Sequence, residues 1–393
     1  MSPPADSSDD RPSMLVLARP FDLSDAPFDG FVQRHRRMVA MLALDFRVTV
    51  LMLATEVDAP SSSTIPGVLT CESIVLPTRR SDRWAVIADA TRNALGIDGD
   101  GDRMLGDCLR RIAPDLVLGL GPWLGVEFRS AFRACPTIYL FEEDLTQMSE
   151  IASQSRQGKL FRALATWISA RSRAQPDVVV SISRAEQRRA RRRYPRSRHL
   201  WLPFTLPAEE WPPASSPSTG SHVLVAGNFS EPRNSEGLVA VLDELASRRS
   251  GDDVRIRIAS DAGLHPSILP FLDRPSVDYA HPAGVLHDHY REAWAALVPA
   301  LRVTGQKSTI LQAWSCGCPV VCSAAAAATV DVPEAVASGI DAAGMVDQLL
   351  ALRDAPDRRD RLVRAGFEAL EGDFDPARQD DVLRETALSL AAK

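Results

Sequence analysis

The chain has no charge-free apolar run of about 18 residues, so nothing in it reads as a membrane-spanning helix. It has no surplus of positive charge either. Its 45 Lys and Arg stand against 51 Asp and Glu, giving a net charge of -6 and a pI near 5.7. Phosphate backbones select a basic face, so nucleic acid is excluded as the main partner. Residues 1–12 have neither a cationic n-region nor an apolar h-region; Ser, Asp and Pro there predict a disordered tail, not a signal peptide. Of six cysteines, Cys71, Cys108 and Cys135 are scattered, and Cys316, Cys318 and Cys322 form a C-x-C-x3-C group with no nearby His. That is poor zinc spacing, and buried thiols in a reducing cytoplasm are expected instead.

Several catalytic signatures are also missing. No G-x-S-x-G or H-E-x-x-H occurs. In Gly305-Gln306-Lys307-Ser308 a glutamine separates the glycine from the lysine, and position 300 is alanine, which excludes a phosphoryl-transfer P-loop. The Asp98-Gly99-Asp100-Gly101-Asp102 run starts like a calcium loop, but its twelfth position is Leu109 where a bidentate Glu is needed. Gly119, Gly121 and Gly125 follow a middle strand, not the first, and so do not make a dinucleotide fingerprint.

What the chain does have is strand–helix alternation from end to end, the pattern of doubly wound α/β domains. Its 393 residues exceed what one core usually organises, so two domains are expected. Apolar runs predict strands at 14–18, 47–53, 73–76, 116–120, 137–141, 177–182 and 199–202 in the first half. A helix over 31–44 places Val32, His35, Val39 and Leu42 at helical spacing, with Gly30 just before it. Between 203 and 220 the prolines Pro203, Pro207, Pro212, Pro213 and Pro217 predict a stiff extended connection. The alternation then restarts, with strands at 222–226, 254–259, 277–279, 295–298 and 319–321, a helix at 235–247 and a last helix at 377–392. The expected division is a domain at 13–205, a hinge at 206–220, a second domain at 221–375 and a closing helix at 376–393.

The most informative stretch is 298–323, V-P-A-L-R-V-T-G-Q-K-S-T-I-L-Q-A-W-S-C-G-C-P-V-V-C-S. A strand, a glycine turn and a helix in that order aim unpaired N–H groups and a positive dipole end at one spot, a ready diphosphate site. Gly305 lets backbone approach a phosphate closely, and Lys307 supplies a point charge at the helix start, where the dipole otherwise disfavours a cation. Arg302 could add a bidentate contact. Ser308 and Thr309 lie in the same turn. Gly227 permits a tight turn after the strand at 222–226, and Asn234 or Ser235 could cap the next helix beside Arg233. His281 is a weak candidate beside the third strand of this half, with a structural role favoured.

The 298–323 stretch resembles the donor loop of GT-B glycosyltransferases, in particular the retaining family 4. Its P-L-x4-G-x-K-x-K-x-L-E-A-x3-G-x-P-V-V pattern is met at Pro299, Gly305, Lys307, Leu311, Ala313, Gly317, Pro319, Val320 and Val321, with Leu301 one position past the pattern's first leucine. The departures are Gln312, where a glutamate usually holds the ribose hydroxyls, Thr304 at the partner glutamate, and Thr309 where a second lysine is frequent. A glutamine oxygen still accepts a hydrogen bond, more weakly than a carboxylate. The resemblance implies an α/β fold of two Rossmann-like domains facing across a cleft. It also implies sugar transfer from a nucleoside diphosphate sugar with retention, no metal or other cofactor, and a last helix returning to the first domain. It places Asp29 and Gly30 in the acceptor loop and makes Asp144, after the strand at 137–141, the candidate catalytic carboxylate. The basic run Arg188 to Arg193 could dock a cytoplasmic protein on the anionic inner face of a membrane, with a solvated helix face the favoured reading. Two other uses of the fold stay open: a non-catalytic sugar-nucleotide-binding partner and a sugar-nucleotide epimerase or hydrolase.

Overall fold

A computed structural model describes residues 10–18, 23, 30–54, 65–75, 100–120, 135–141, 175–207, 218, 220–230, 232–248 and 253–393. The chain forms two compact units, one of Met1–Ser181, Glu186–Leu200 and Asp380–Lys393, the other of Ile182–Ala185 and Trp201–Gln379.

The first unit is built on strands β1 (Ser13–Ala18), β2 (Arg47–Ala54), β3 (Thr70–Val75), β4 (Leu116–Gly119), β5 (Thr137–Phe141), β6 (Val178–Ser181) and β7 (Arg198–Trp201). They form one sheet in the order β3-β2-β1-β4-β5-β6-β7. Pairings from β3 through to β6 are parallel. Parallel strands covered on both faces read as unbroken apolar runs, and β1, β4, β5 and β6 are almost wholly buried. Helices α1 (Gly30–Leu42), α2 (Asp100–Ile112) and α3 (Arg184–Arg193) accompany the sheet. The start of the acidic 98–102 run therefore lies outside the described residues, and its end opens α2. Leu105 and Leu109 of α2 and Ala190 of α3 pack with Leu15, Leu17 and Val179 in one core. Tyr139, Phe141 and Tyr194 meet edge to face within it at 5.8 to 6.4 Å.

The second unit repeats the plan. Its strands are β8 (His222–Ala226), β9 (Ile256–Ala259), β10 (Val277–Ala280), β11 (Ala293–Val298), β12 (Val320–Ser323) and β13 (Val336–Gly339). Their order is β10-β9-β8-β11-β12-β13, all parallel. The helices are α4 (Pro232–Ser247), α5 (Leu286–Arg291), α6 (Ser308–Ser315), α7 (Ala324–Val330), α8 (Ala342–Arg353) and α9 (Pro356–Glu371). Period-two alternation splits the strands between two cores. Val223, Val225 and Leu297 face α4 and α8, whereas Leu224, Ala296 and Val298 face α6. The chain closes with α10 (Pro376–Ala391), whose residues from Asp380 onward belong to the first unit. There Arg37 binds Asp380 at 2.7 Å and Arg384 binds Asp45.

Two sequence expectations are corrected at element ends, at α4 and β11, and a third, Lys307 at the start of its helix, stands. Helix α4 starts at Pro232, whose fixed φ and missing N–H suit a first helical turn, so Asn234 and Ser235 are inside the helix and do not cap it. Strand β11 begins at Ala293, two residues early. Lys307 is the N-cap of α6 and the helix proper opens at Ser308.

Candidate donor site in the second unit

In a doubly wound sheet the ligand crevice lies where strand order reverses, outside the carboxyl ends of the two neighbouring strands. In the second unit those strands are β8 and β11. The loops that leave them, with the first turns of the helices that follow, carry Gly227 to Asn234 and Arg302 to Thr309, so donor-binding candidates 68 or more positions apart meet at one sheet edge.

The β8 loop is organised by its own polar groups. Gly227 has φ +153 and donates its N–H to Ala259 O at 3.1 Å. Asn228 Oδ1 accepts from Ser230 N at 3.0 Å and Ser230 Oγ at 2.7 Å, and Asn234 Nδ2 donates to Asn228 O at 2.8 Å. Asn234 thus ties the first turn of α4 back onto the loop. Arg233 is on that same turn. Gly237 lets α4 touch the other loop: a Cβ there would lie 1.7 Å from Pro299 O.

The β11 loop is held at several points. Ser323 Oγ donates to Ala300 O. Arg302 donates to both carboxylate oxygens of Glu236, at 3.0 and 3.1 Å, an exposed pair that joins the two loops. One nitrogen of its guanidinium, Nη2, is thereby engaged by Glu236 of α4. Gly305 has φ +66, a left-handed turn that glycine adopts without Cβ strain. Gln306 turns its amide onto the backbone of Phe204. Lys307 has φ -89 and ψ 95, gives α6 no side-chain cap, and donates its N–H to Thr329 Oγ1 at 3.3 Å. The N–H groups of Ser308 and Thr309 have no carbonyl within the helix to bond, so the positive end of α6 is left without a covering side chain at its N-cap. Thr309 O accepts from Tyr290 Oη at 3.3 Å, while Thr309 Oγ1 is buried with no partner among the described residues. Gln312, one turn along, is half-buried.

The far end of α6 is structural. Gly317 has φ +66 and donates to Trp314 O at 2.9 Å, and Cys318 N–H reaches Ala313 O at 2.9 Å, the paired bonds of a Schellman stop. The chain then enters β12 directly, which accounts for Gly317 through Val321 without a ligand. Cys316, Cys318 and Cys322 are free and buried; burial pushes the Cys316 and Cys322 thiols up to about 12 and raises Cys318 further. His281 Nδ1 lies 2.9 Å from Ser260 O and its ring stacks on Tyr279 at 5.6 Å, a structural placement.

Sequence reasoning missed Glu236, Gln306 and Thr329 as residues that shape this turn. Their partners are 102 residues apart for Gln306 and 66 for Glu236, so no local pattern announces them. In the first unit Gly30 opens α1. Asp29, Asp144 and its neighbours Glu142 and Glu143 lie outside the described residues. Among the described residues no group of three or more metal-ligating side chains occurs, and no helix is long and apolar enough to cross a membrane.

Residues 220–355, from just before β8 to just past α8, match the family model described as Glycosyl transferases group 1. The second unit thus carries a glycosyltransferase group 1 domain over residues 220–355. No curated protein matches the chain in sequence. Among solved structures, sucrose-phosphate synthase from Thermosynechococcus elongatus is similar at TM-score 0.69 and 14% identity, covering 97% of this chain and 99% of that one. An alpha,alpha-trehalose-phosphate synthase (UDP-forming) from Burkholderia vietnamiensis gives TM-score 0.67 and 12% identity over 97% and 98%. HepE of Anabaena, solved in complex with UDP, gives 0.64 and 15% over 96% and 100%. Identities this low establish the fold, which is that of GT-B glycosyltransferases: an α/β chain with two parallel sheets. The matched span contains both loops at the β8–β11 switch point.

Proposed function

We propose that the protein moves a sugar from a nucleoside diphosphate sugar to an acceptor, with retention of anomeric configuration as in the family 4 group it resembles. The observation that carries this reading is the side-chain-uncapped amino end of α6, with Gly305, Lys307 and Thr309 around it, set at the switch point of a glycosyltransferase domain. The diphosphate would sit against the N–H groups of Ser308 and Thr309, with Lys307 beside it and Thr309 Oγ1 as an otherwise unmatched partner. Catalysis is then mainly electrostatic: these groups stabilise negative charge on the leaving diphosphate as the glycosidic bond breaks. Gly227 borders the donor from the β8 loop and Arg233 and Asn234 from the first turn of α4, and Gln312 is the candidate for the ribose. Arg302 acts by joining the two loops through Glu236. Asp144, Asp29 and Gly30 remain the candidates on the acceptor side. In this scheme a donor phosphate oxygen takes the acceptor proton, so no metal or other cofactor is called for.

Related structures hold UDP or UDP-glucose, which makes UDP-sugars the first donors to test. The experiment is a melting-temperature screen against UDP-, GDP-, TDP- and ADP-sugars. A ligand at a hundred times its Kd stabilises by about 2.7 kcal/mol. Lys307→Met should then weaken the donor that binds about tenfold or more, the worth of one charge-assisted hydrogen bond. No shift with any nucleotide would refute the donor reading.

We also propose an anionic membrane surface as a docking partner of the first unit. Arg188, Arg191 and Arg192 share one face of α3, and Arg196 and Arg198 follow; all five are exposed, with no ion pair among the described residues. Like charges at three- and four-residue spacing repel, so this face gains from an anionic counterpart. Arg189 is instead paired with Glu186 at 2.9 Å. Sedimentation with phosphatidylserine vesicles should fall sharply in an Arg188→Glu, Arg192→Glu variant; equal sedimentation excludes this face.

A further inference from the structure

The connection between β7 and β8 is described at its two ends, residues 201–207 and Ser218, and both are fastened to residues that flank α6. At the front, Phe204 donates its N–H to Gln306 Oε1 at 2.9 Å, and Gln306 Nε2 lies 3.4 Å from Phe204 O. At the back, Ser218 N–H donates to Gly317 O at 2.9 Å, the glycine that stops α6. Between these points Leu206 is buried in the core that holds Ile310, Leu311 and Trp314 of α6. The described ends of the connection are therefore held at the two ends of the helix whose amino end forms the candidate diphosphate site.

A primary amide carries a donor and an acceptor in one plane, so Gln306 pairs with both polar groups of Phe204 as a neighbouring strand would. Among the other side chains only asparagine offers that pair, on a shorter stem. Gln306 also stands between Gly305 and Lys307, the residues proposed to flank the diphosphate, and its amide is spent on the connection.

We infer that Gln306 is a positioning residue that couples occupancy of the anion site to the order of the interdomain connection. This rests on the donor reading given above. An anion drawn to the α6 amino end fixes the Gly305–Lys307 turn, and the Gln306 amide passes that order to Phe204. By linkage, an ordered connection raises donor affinity by the same factor.

The test is hydrogen–deuterium exchange of peptides covering residues 201–220 in the full chain, with and without UDP, GDP, TDP and ADP in turn. Melting temperatures are recorded alongside. Gln306→Met keeps chain length and removes both hydrogen-bonding groups. The nucleotide that binds is expected to slow exchange at Phe204 in the wild type. In Gln306→Met the slowing should vanish while the nucleotide still raises the melting temperature, with its Kd weakened no more than about tenfold, as two modest hydrogen bonds allow. Equal slowing in both proteins overturns the coupling, as does a wild type that binds a nucleotide with no change at Phe204. A wild type that binds none shows no melting shift at all, which identifies failure of the donor reading itself and removes the inference with it. Should Gln306→Met not fold, Gln306→Glu keeps the acceptor and loses the donor. Its slowing must then be weaker than in the wild type, and undiminished slowing overturns the coupling.

Discussion

Replacing Gly237 with alanine tests whether the two loops of the donor site are held by contact between α4 and the end of β11. The added Cβ would lie 1.7 Å from Pro299 O and 3.3 Å from Leu301 Cγ, whereas real Cβ contacts essentially never fall under 3.0 Å. The nearer atom is backbone at the end of a buried strand, so it cannot swing aside, and α4 must retreat by more than an ångström. Overpacking of a well-filled interior costs about 3 kcal/mol at the upper end of its usual range. Alanine returns about 1 kcal/mol of helix propensity over glycine. A net loss of about 2 kcal/mol follows, and in a unit of this size it lowers the melting temperature by about 4–8 °C. Because Pro299 opens the turn that leads to Gly305 and Lys307, donor affinity should fall as well. The assay is thermal and urea unfolding of Gly237→Ala beside Gly263→Ala, a glycine with nothing within 4 Å of its added Cβ. Gly263→Ala should be neutral or slightly stabilising. If Gly237→Ala were as stable as the wild type, propensity would have outweighed the clash and the close approach of α4 would be wrong.

Burial, and then Arg257, lower the pKa of His222 below its usual value of 6.5. A depressed histidine leaves the unfolded chain binding more protons in that window, so stability is full above about 6.5 and declines as pH falls toward the folded-state value. His222→Gln should flatten that acid-side loss in unfolding curves taken from pH 8 to pH 5, and an unchanged slope would rule His222 out as its source. Alkylation of the native protein at pH 8 should modify exposed Cys71 while sparing Cys316, Cys318 and Cys322, which should react only after unfolding. Mass spectrometry of the labelled peptides decides it, and early labelling of Cys318 would contradict its burial.

The strands were legible because a parallel strand covered on both faces must be apolar throughout, and runs such as Leu15–Val16–Leu17 or Val178–Val179–Val180 admit few other readings. Strand β13 escaped because V-A-S-G has one β-branched residue and a glycine, so its burial comes from pairing with β12 and not from its own composition. Helix α7, A-A-A-A-A-T-V, has no polar face to show a period; its start is fixed by Ser323, whose Oγ accepts from Ala326 N. At the candidate site, Gly305 and Gly317 announced their left-handed turns, since few residues but glycine serve there. Arg302 was visible as a cation, but its partner Glu236 was not, because a charge in sequence says nothing about which distant carboxylate will reach it. The role of Gln306 was hidden for the same reason: its match is a main-chain peptide, which has no letter in the sequence.

The last helix has a bearing on biosynthesis. From Asp380 onward it is part of the unit whose sheet begins at Ser13, and it buries Leu383, Ala387 and Leu390. A ribosome makes that unit's strands early, yet this closing piece emerges only after the whole of the second unit. The half born first must wait, incompletely covered, until residues 380–391 are out, and a stop codon ahead of them would wound a sheet completed about two hundred residues earlier.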